Sequence, residues 1–282
     1  MRDSVLVQSI QITPSRLLTV MPDGRSWLIE FGSSRLQVLP RSAIAARKSS
    51  IAASFVEAAI SAGLTQTGYA PSAGSQTSLL GYIRWLVGNY IFAGQTPGIF
   101  RRTADRFEEF GRSDLAVFSR QKAVEESGHA ELAYRDLQSL GLPAMETIRA
   151  VQPPSATEFS DCFRNYAESS TPIAIFGFSY CLERMAVERD IDFIRAVEGV
   201  CPPESRAFRF LKVHSAIGSD YAHVDEQLSF FENLPKSDLV SVICAAYETA
   251  ALLARQSLID QALTDGETRR RLGEAGIQGH FL

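Results

Sequence analysis

The sequence changes its patterning near residue 42, from short strand-like runs to segments of helical period, and this change constrains the fold more than any other feature. Before it, Arg16–Val20, Ser26–Phe31 and Arg35–Leu39 are β-prone, and Asp23-Gly24 between the first two is a hairpin turn signal. A meander of two or three strands is marginal alone, so it must pack on something. From Ala43 the spacing predicts helices over 51–64, 78–92, 100–111, 113–140, 156–168, 172–188, 191–200, 205–233 and 236–263. Gly94–Gly98, Gly141-Leu142-Pro143 and Cys201-Pro202-Pro203 read as breaks, and residues 68–76 as a Gly-, Ser- and Pro-rich loop. The tail from Thr264 is polar and Gly-rich, with at most one turn. The expectation is a mostly α chain: a bundle of about seven or more helices over 43–282, with a small N-terminal β-hairpin or meander over 1–42.

Of 282 residues 45% are apolar and 21% charged, a composition that buries a full core without staples. Lys and Arg number 28 against 32 Asp and Glu, a formal charge of −4. That balance argues against a nucleic-acid partner and against a polybasic membrane anchor. The start of the chain does not read as a signal peptide. The most apolar stretch, 239–254, is interrupted by Tyr247 and Glu248 and reads as too short and too polar to span a bilayer. Cys162, Cys181, Cys201 and Cys244 form no CxxC pair and read as buried thiols. A reduced, cytoplasmic protein without a membrane partner is expected.

The chemistry gathers at three of the four histidines; the fourth, His280, lies in the tail. Glu126 and His129 stand i, i+3, on a helix face continued by Ala133, Leu137 and Leu140. A carboxylate facing a core is costly unless it is paired or binds a metal, and Glu-x-x-His is a spacing that bundles use for iron or manganese. Glu183 interrupts an apolar stripe of Ile173, Phe176, Tyr180 and Val187; an arginine partner in the core is the alternative. Asp220 and His223 are again i, i+3, beside a stripe of Phe210, Val213, Ile217, Tyr221, Val224, Leu228 and Phe231 that is expected to be buried. In a straight helix His214 and His223 face opposite ways. They converge only where the helix bulges or unwinds, and Gly218-Ser219 is the place for that. Three imidazoles and three carboxylates suit iron or manganese rather than structural zinc, and six ligands suffice for two metals.

The segment from Glu125 to Gly141, the lone Glu183 within Phe176–Glu183, and the segment from His214 to His223 together resemble the haem-oxygenase-like di-iron oxidases and oxygenases. That fold is shared with thiaminase II and pyrroloquinoline-quinone biosynthesis proteins. The resemblance covers roughly residues 78–262 and leaves the N-terminal strands outside. It implies metal ligation by Glu126, His129, Glu183, His214, Asp220 and His223, with Glu126 and Glu183 also catalytic. It implies two Fe(II) per chain, with manganese as the alternative metal, O2 as co-substrate, a small organic or amino acid as substrate, and an external reductant. The reactions it implies are oxidative C–C cleavage, desaturation, decarboxylation or N-oxygenation.

The family spaces its last motif as His, Asp four later and His seven later. Here Asp220 follows His214 by six, His223 follows it by nine, and Ala216 stands at the expected place. Either a bulge restores His214 or the site has lost that ligand. A substrate carboxylate needs a cation, for which Arg84, Lys122 and Arg184 are candidates. Two other readings are a metal-free acid–base enzyme of the same fold, with Cys162 or Cys181 as nucleophile, and a non-catalytic binding protein. A homodimer through Trp27 and Phe31 of the hairpin is a further expectation.

Overall fold

The structure, a computed structural model, describes residues 8–33, 36–44, 50–66 and 78–278. The expectations for Arg35, for the loop at 68–76 and for His280 lie outside them. The described chain is mostly α-helical with an N-terminal antiparallel four-stranded sheet. It divides into two compact units.

One unit comprises Met1–Ala70, Ile173–Arg184 and Ala222–Arg255. Its sheet is a meander of β1 (Gln8–Thr13), β2 (Arg16–Val20), β3 (Ser26–Glu30) and β4 (Leu36–Val38). The β2–β3 hairpin pairs Leu18 with Leu28 and Val20 with Ser26, all four buried, and β2 and β3 lie against α1 (Ile51–Thr65). The sheet therefore has the packing partner its size requires. β1 was not expected: Gln8, Ser9 and Gln11 alternate with only two isoleucines, a weak strand signal.

The helices of this unit are α1, α7 (Ala174–Ala186), most of α10 (Asp220–Phe231) and most of α11 (Lys236–Ala262). Two glycines let backbones approach α11. A Cβ at Gly63 would lie 2.4 Å from the Tyr247 carbonyl, and one at Gly177 would lie 2.1 Å from that of Val242. Between α1 and α7 a buried polar knot forms. Glu57 accepts from Tyr180 Oη, from Arg184 Nε at 3.0–3.1 Å and from Ser42 Oγ. Burial and the charge of Glu57 push the Tyr180 phenol up, so it stays a neutral donor. Helix α7 is buried on several sides (Ile175, Phe176, Phe178, Tyr180, Cys181) rather than along one stripe. Helix α11 is longer than the apolar stretch read from sequence. Its Lys236–Ser257 portion is long and apolar enough to cross a membrane by length and composition, but half of that window is buried inside the protein, as in a core helix.

The other unit comprises Pro71–Pro172, Met185–Tyr221 and Gln256–Leu282. Its axis is α2 (Leu79–Glu109), one helix where two were expected. Pro97 lies inside it: the lost N–H weakens one turn, but packing against α3 (Ser113–Glu125), α4 (His129–Ser139) and α6 (Pro154–Glu168) holds the helix together. The segment expected as one helix over 113–140 is two, α3 and α4, because Gly128 adopts φ +90. A short α5 (Ala144–Val151), absent from the sequence reading, follows Gly141. Then come α8 (Ile191–Val200) and α9 (Arg209–Val213). The tail holds α12 (Asp265–Glu274), ten residues rather than one turn, capped where Thr264 Oγ1 accepts from Glu267 N. The core runs through Ile83, Leu86, Leu137, Leu140, Phe210 and Leu272.

The long helix expected over 205–233 is interrupted. α9 ends at Val213, residues 214–219 are non-helical, and α10 begins at Asp220. Ile217 and Tyr221, expected in the buried stripe, are exposed as a result, while Phe210, Val224, Leu228 and Phe231 are buried as expected.

Candidate functional site

The break between α9 and α10 carries part of the candidate site. His214 is the C-cap of α9, and its chain turns back on itself: Gly218 N donates to Ser215 O at 3.0 Å, and Ala216 N donates to Arg189 O at 3.1 Å. Gly218 is required there, because a Cβ would lie 1.9 Å from the Val213 carbonyl oxygen. The turn brings His214 Nδ1 to 2.9 Å from Asp220 Oδ2, with Asp220 fully buried at the start of α10. The two additional residues of the motif are thus absorbed outside any helix. His214 meets Asp220 after all.

A second pair stands at the α3–α4 junction. Glu126 is the C-cap of α3, Gly128 makes the left-handed turn, and His129 opens α4. The spacing read as one helix face is in fact a tight corner, which still brings His129 Nδ1 to 3.0 Å from Glu126 Oε2. Both side chains are largely buried. Burial pulls the His129 imidazolium down. The hydrogen bond and charge of Glu126, helped by the charges of Asp220 and Glu125, outweigh it and hold its pKa above the ordinary histidine value.

The two pairs meet through their rings, edge to face, with the His129 and His214 centroids 4.7 Å apart. The Phe210 ring also packs against His214, with centroids 4.3 Å apart. His214 Nε2 is buried and has no hydrogen-bond partner among the described residues.

Glu183 and His223 belong to the other unit. Glu183 is buried on α7, where Ser179 Oγ donates to its Oε1 at 3.1 Å and Gln227 Nε2 to its Oε2 at 2.7 Å. The core arginine Arg184 lies 3.0 Å from Glu57. His223 lies one turn before Gln227 on the same face of α10.

Of the six residues singled out in the sequence, the structure thus gathers Glu126, His129, His214 and Asp220 as two carboxylate–imidazole pairs. Among the described residues no three His, Cys, Asp or Glu side chains converge into a metal-holding group. The donor types nevertheless fit iron. Each imidazole has Nδ1 oriented by a carboxylate, as metal-bound histidines commonly do, and the orphaned His214 Nε2 is an atom that a metal would satisfy.

No family model and no curated protein matches the chain. Among solved structures it is similar to a domain of unknown function from Shewanella denitrificans OS217, which is described as having a heme oxygenase-like fold. The TM-score is 0.56 at 17% identity, over 81% of this chain and 88% of that one. The fold is haem-oxygenase-like. A likeness at this identity establishes the architecture and leaves function to the site.

In this haem-oxygenase-like chain the cations considered for a substrate carboxylate are each engaged. Arg84 binds Asp265 Oδ1 at 2.8 Å and Thr268 Oγ1 at 2.7 Å, Lys122 lies fully buried 2.8 Å from Glu125, and Arg184 holds Glu57. Cys181 is a poor nucleophile, since complete burial and the charge of Glu57 push its thiol up. Of the four thiols Cys181 and Cys201 are buried, while Cys162 and Cys244 are partly exposed. Sequence reasoning missed Gln227 and Ser179. Their signal was positional: each is a polar residue one turn, i±4, from a singled-out residue, Gln227 from His223 and Ser179 from Glu183.

Proposed function

We propose that the protein is a non-haem di-iron oxidase or oxygenase that uses O2 to oxidise a small organic or amino acid. Glu126, His129, Glu183, His214, Asp220 and His223 are its metal ligands, and Glu126 and Glu183 its catalytic carboxylates. The observation that carries this reading is the return of His214 to Asp220 across a motif two residues too long, with Nε2 buried and unsatisfied. Two Fe(II) ions, with manganese as the alternative, would supply reductive O2 activation, with electrons from an external reductant.

The chain's own contribution is orientation and exclusion of water. Glu126 and Asp220 fix the tautomers of His129 and His214, so that Nε2 is the nitrogen each ring offers. Phe210 and His129 both pack their rings against His214, whose Nε2 is buried. The net charge of −4 speaks against a nucleic-acid partner or a polybasic membrane anchor.

A second reading is favoured by the same pairs. A carboxylate that orients an imidazole is also the base–orienter unit of a metal-free acid–base enzyme, as in the thiaminase type. Mixing the Fe(II)-loaded, anaerobic protein with O2 in a stopped-flow spectrometer separates the two. A transient visible band with O2 uptake, abolished by a chelator, supports the di-iron reading. A spectrally silent protein that consumes no O2 moves the weight to acid–base chemistry.

A further inference from the structure

Gln227 is fully buried on α10, in the row of Val224, Leu228 and Phe231. Its Nε2 donates to Glu183 Oε2 at 2.7 Å, while Ser179 Oγ takes the other carboxylate oxygen at 3.1 Å. The amide thus turns its nitrogen, its only donor, to the carboxylate. The consequence is that Gln227 Oε1 is buried with no hydrogen-bond partner among the described residues. A buried carbonyl left unsatisfied is a cost that a methionine of similar shape would not carry. Packing therefore does not account for an amide here; the carboxylate does.

We propose that Gln227 is a positioning residue for Glu183. Its N–H fixes the rotamer of the carboxylate, and it thereby sets the geometry in which Glu183 would meet a metal. Ser179 is the weaker, longer partner in the same arrangement. The inference rests on the di-iron reading and adds to it a residue that holds a ligand without binding metal itself.

The test is anaerobic Co(II) titration of the full chain as wild type, Gln227→Met, Gln227→Glu and Glu183→Gln, with stoichiometry, Kd and the visible ligand-field spectrum as readouts. Urea melts of the same metal-free proteins report folding separately. The expected result for Gln227→Met is an urea midpoint near that of wild type, Co(II) affinity weaker by about ten- to a hundredfold, and an altered spectrum. If Gln227→Met does not fold, Gln227→Glu, of nearly the same shape, is read instead, with an altered spectrum expected. Glu183→Gln loses one Co(II) or shifts further in the same direction. Wild-type affinity and spectrum in the folded Gln227 variants, with wild type binding normally, overturn the inference alone, whereas a Glu183→Gln protein indistinguishable from wild type removes Glu183 from the ligand set and overturns the inference with it. A wild type that takes up no Co(II) overturns the di-iron reading and the inference with it.

Discussion

His214 Nδ1 and Asp220 Oδ2 lie 2.9 Å apart although six residues separate them. On a continuous helix that separation turns the second side chain about 240° from the first. The contact exists only because α9 stops at Val213 and the chain folds back through Gly218 before α10 begins. Here one glycine decides whether this carboxylate–imidazole pair forms.

Gly218→Ala is therefore expected to be damaging. Its Cβ would meet the carbonyl oxygens of Val213 at 1.9 Å and Lys212 at 2.4 Å, so the turn must open. A loss of about 1–3 kcal/mol in urea unfolding is expected, as for overpacking elsewhere. The stronger signature is faster hydrogen exchange over 214–222. Unchanged exchange there would contradict the account of the turn.

The crossings on α11 make a similar prediction with an internal control. Gly63→Ala and Gly177→Ala place a Cβ 2.4 Å and 2.1 Å from backbone carbonyls of that helix, and each is expected to cost about 1–3 kcal/mol. Gly199, inside α8, has nothing within 4 Å, so Gly199→Ala is expected to stabilise by about 0.5–1 kcal/mol. Equal effects at the three positions would mean that close approach is not what the first two glycines provide.

The knot around Glu57 is expected to dominate local stability. Its carboxylate is buried, ion-paired to Arg184 and hydrogen-bonded by Tyr180 and Ser42. Glu57→Leu removes one partner and leaves the guanidinium poorly solvated, a change of about 3–5 kcal/mol in chemical denaturation. A change within 0.5 kcal/mol, about the scale of a surface substitution, would show that the knot is not needed for folding.

Thiol chemistry follows from burial. Desolvation first, then nearby carboxylates, push Cys201 and Cys244 up to about 11. A raised thiol pKa means less thiolate at any pH below it, so alkylation of these two at pH 8 is expected about a hundredfold slower than for a thiol of pKa near 9. Their rates keep climbing about tenfold per pH unit toward pH 10, where an ordinary thiol has levelled off. Peptide-resolved alkylation with iodoacetamide measures this, and a plateau near pH 9 at either residue would refute it.

What the sequence made legible was the pattern carried by side-chain type and short spacing. The hairpin between Arg16 and Glu30 followed from its Asp-Gly turn, and most helix cores followed from their apolar period. What it hid was backbone geometry set by packing. Gly94 and Pro97 read as a break, yet the neighbours of α2 keep it whole. Gly128 read as interior to a helix, yet its φ of +90 ends one. The tail helix was readable in principle, because Thr264-x-x-Glu267 is a capping pattern. At the candidate site, the residue types and the Gly218-Ser219 break were visible, while the pairings of His214 with Asp220 and of Gln227 with Glu183 needed three dimensions.

The central claim is that these residues bind two metals, and equilibrium titration of the chelator-stripped protein with Fe(II) under anaerobic conditions tests it most directly. The account predicts two tightly held Fe(II) per chain in the wild type and fewer than two in His214→Ala. No Fe(II) bound by the wild type, or two bound equally tightly without His214, would contradict it.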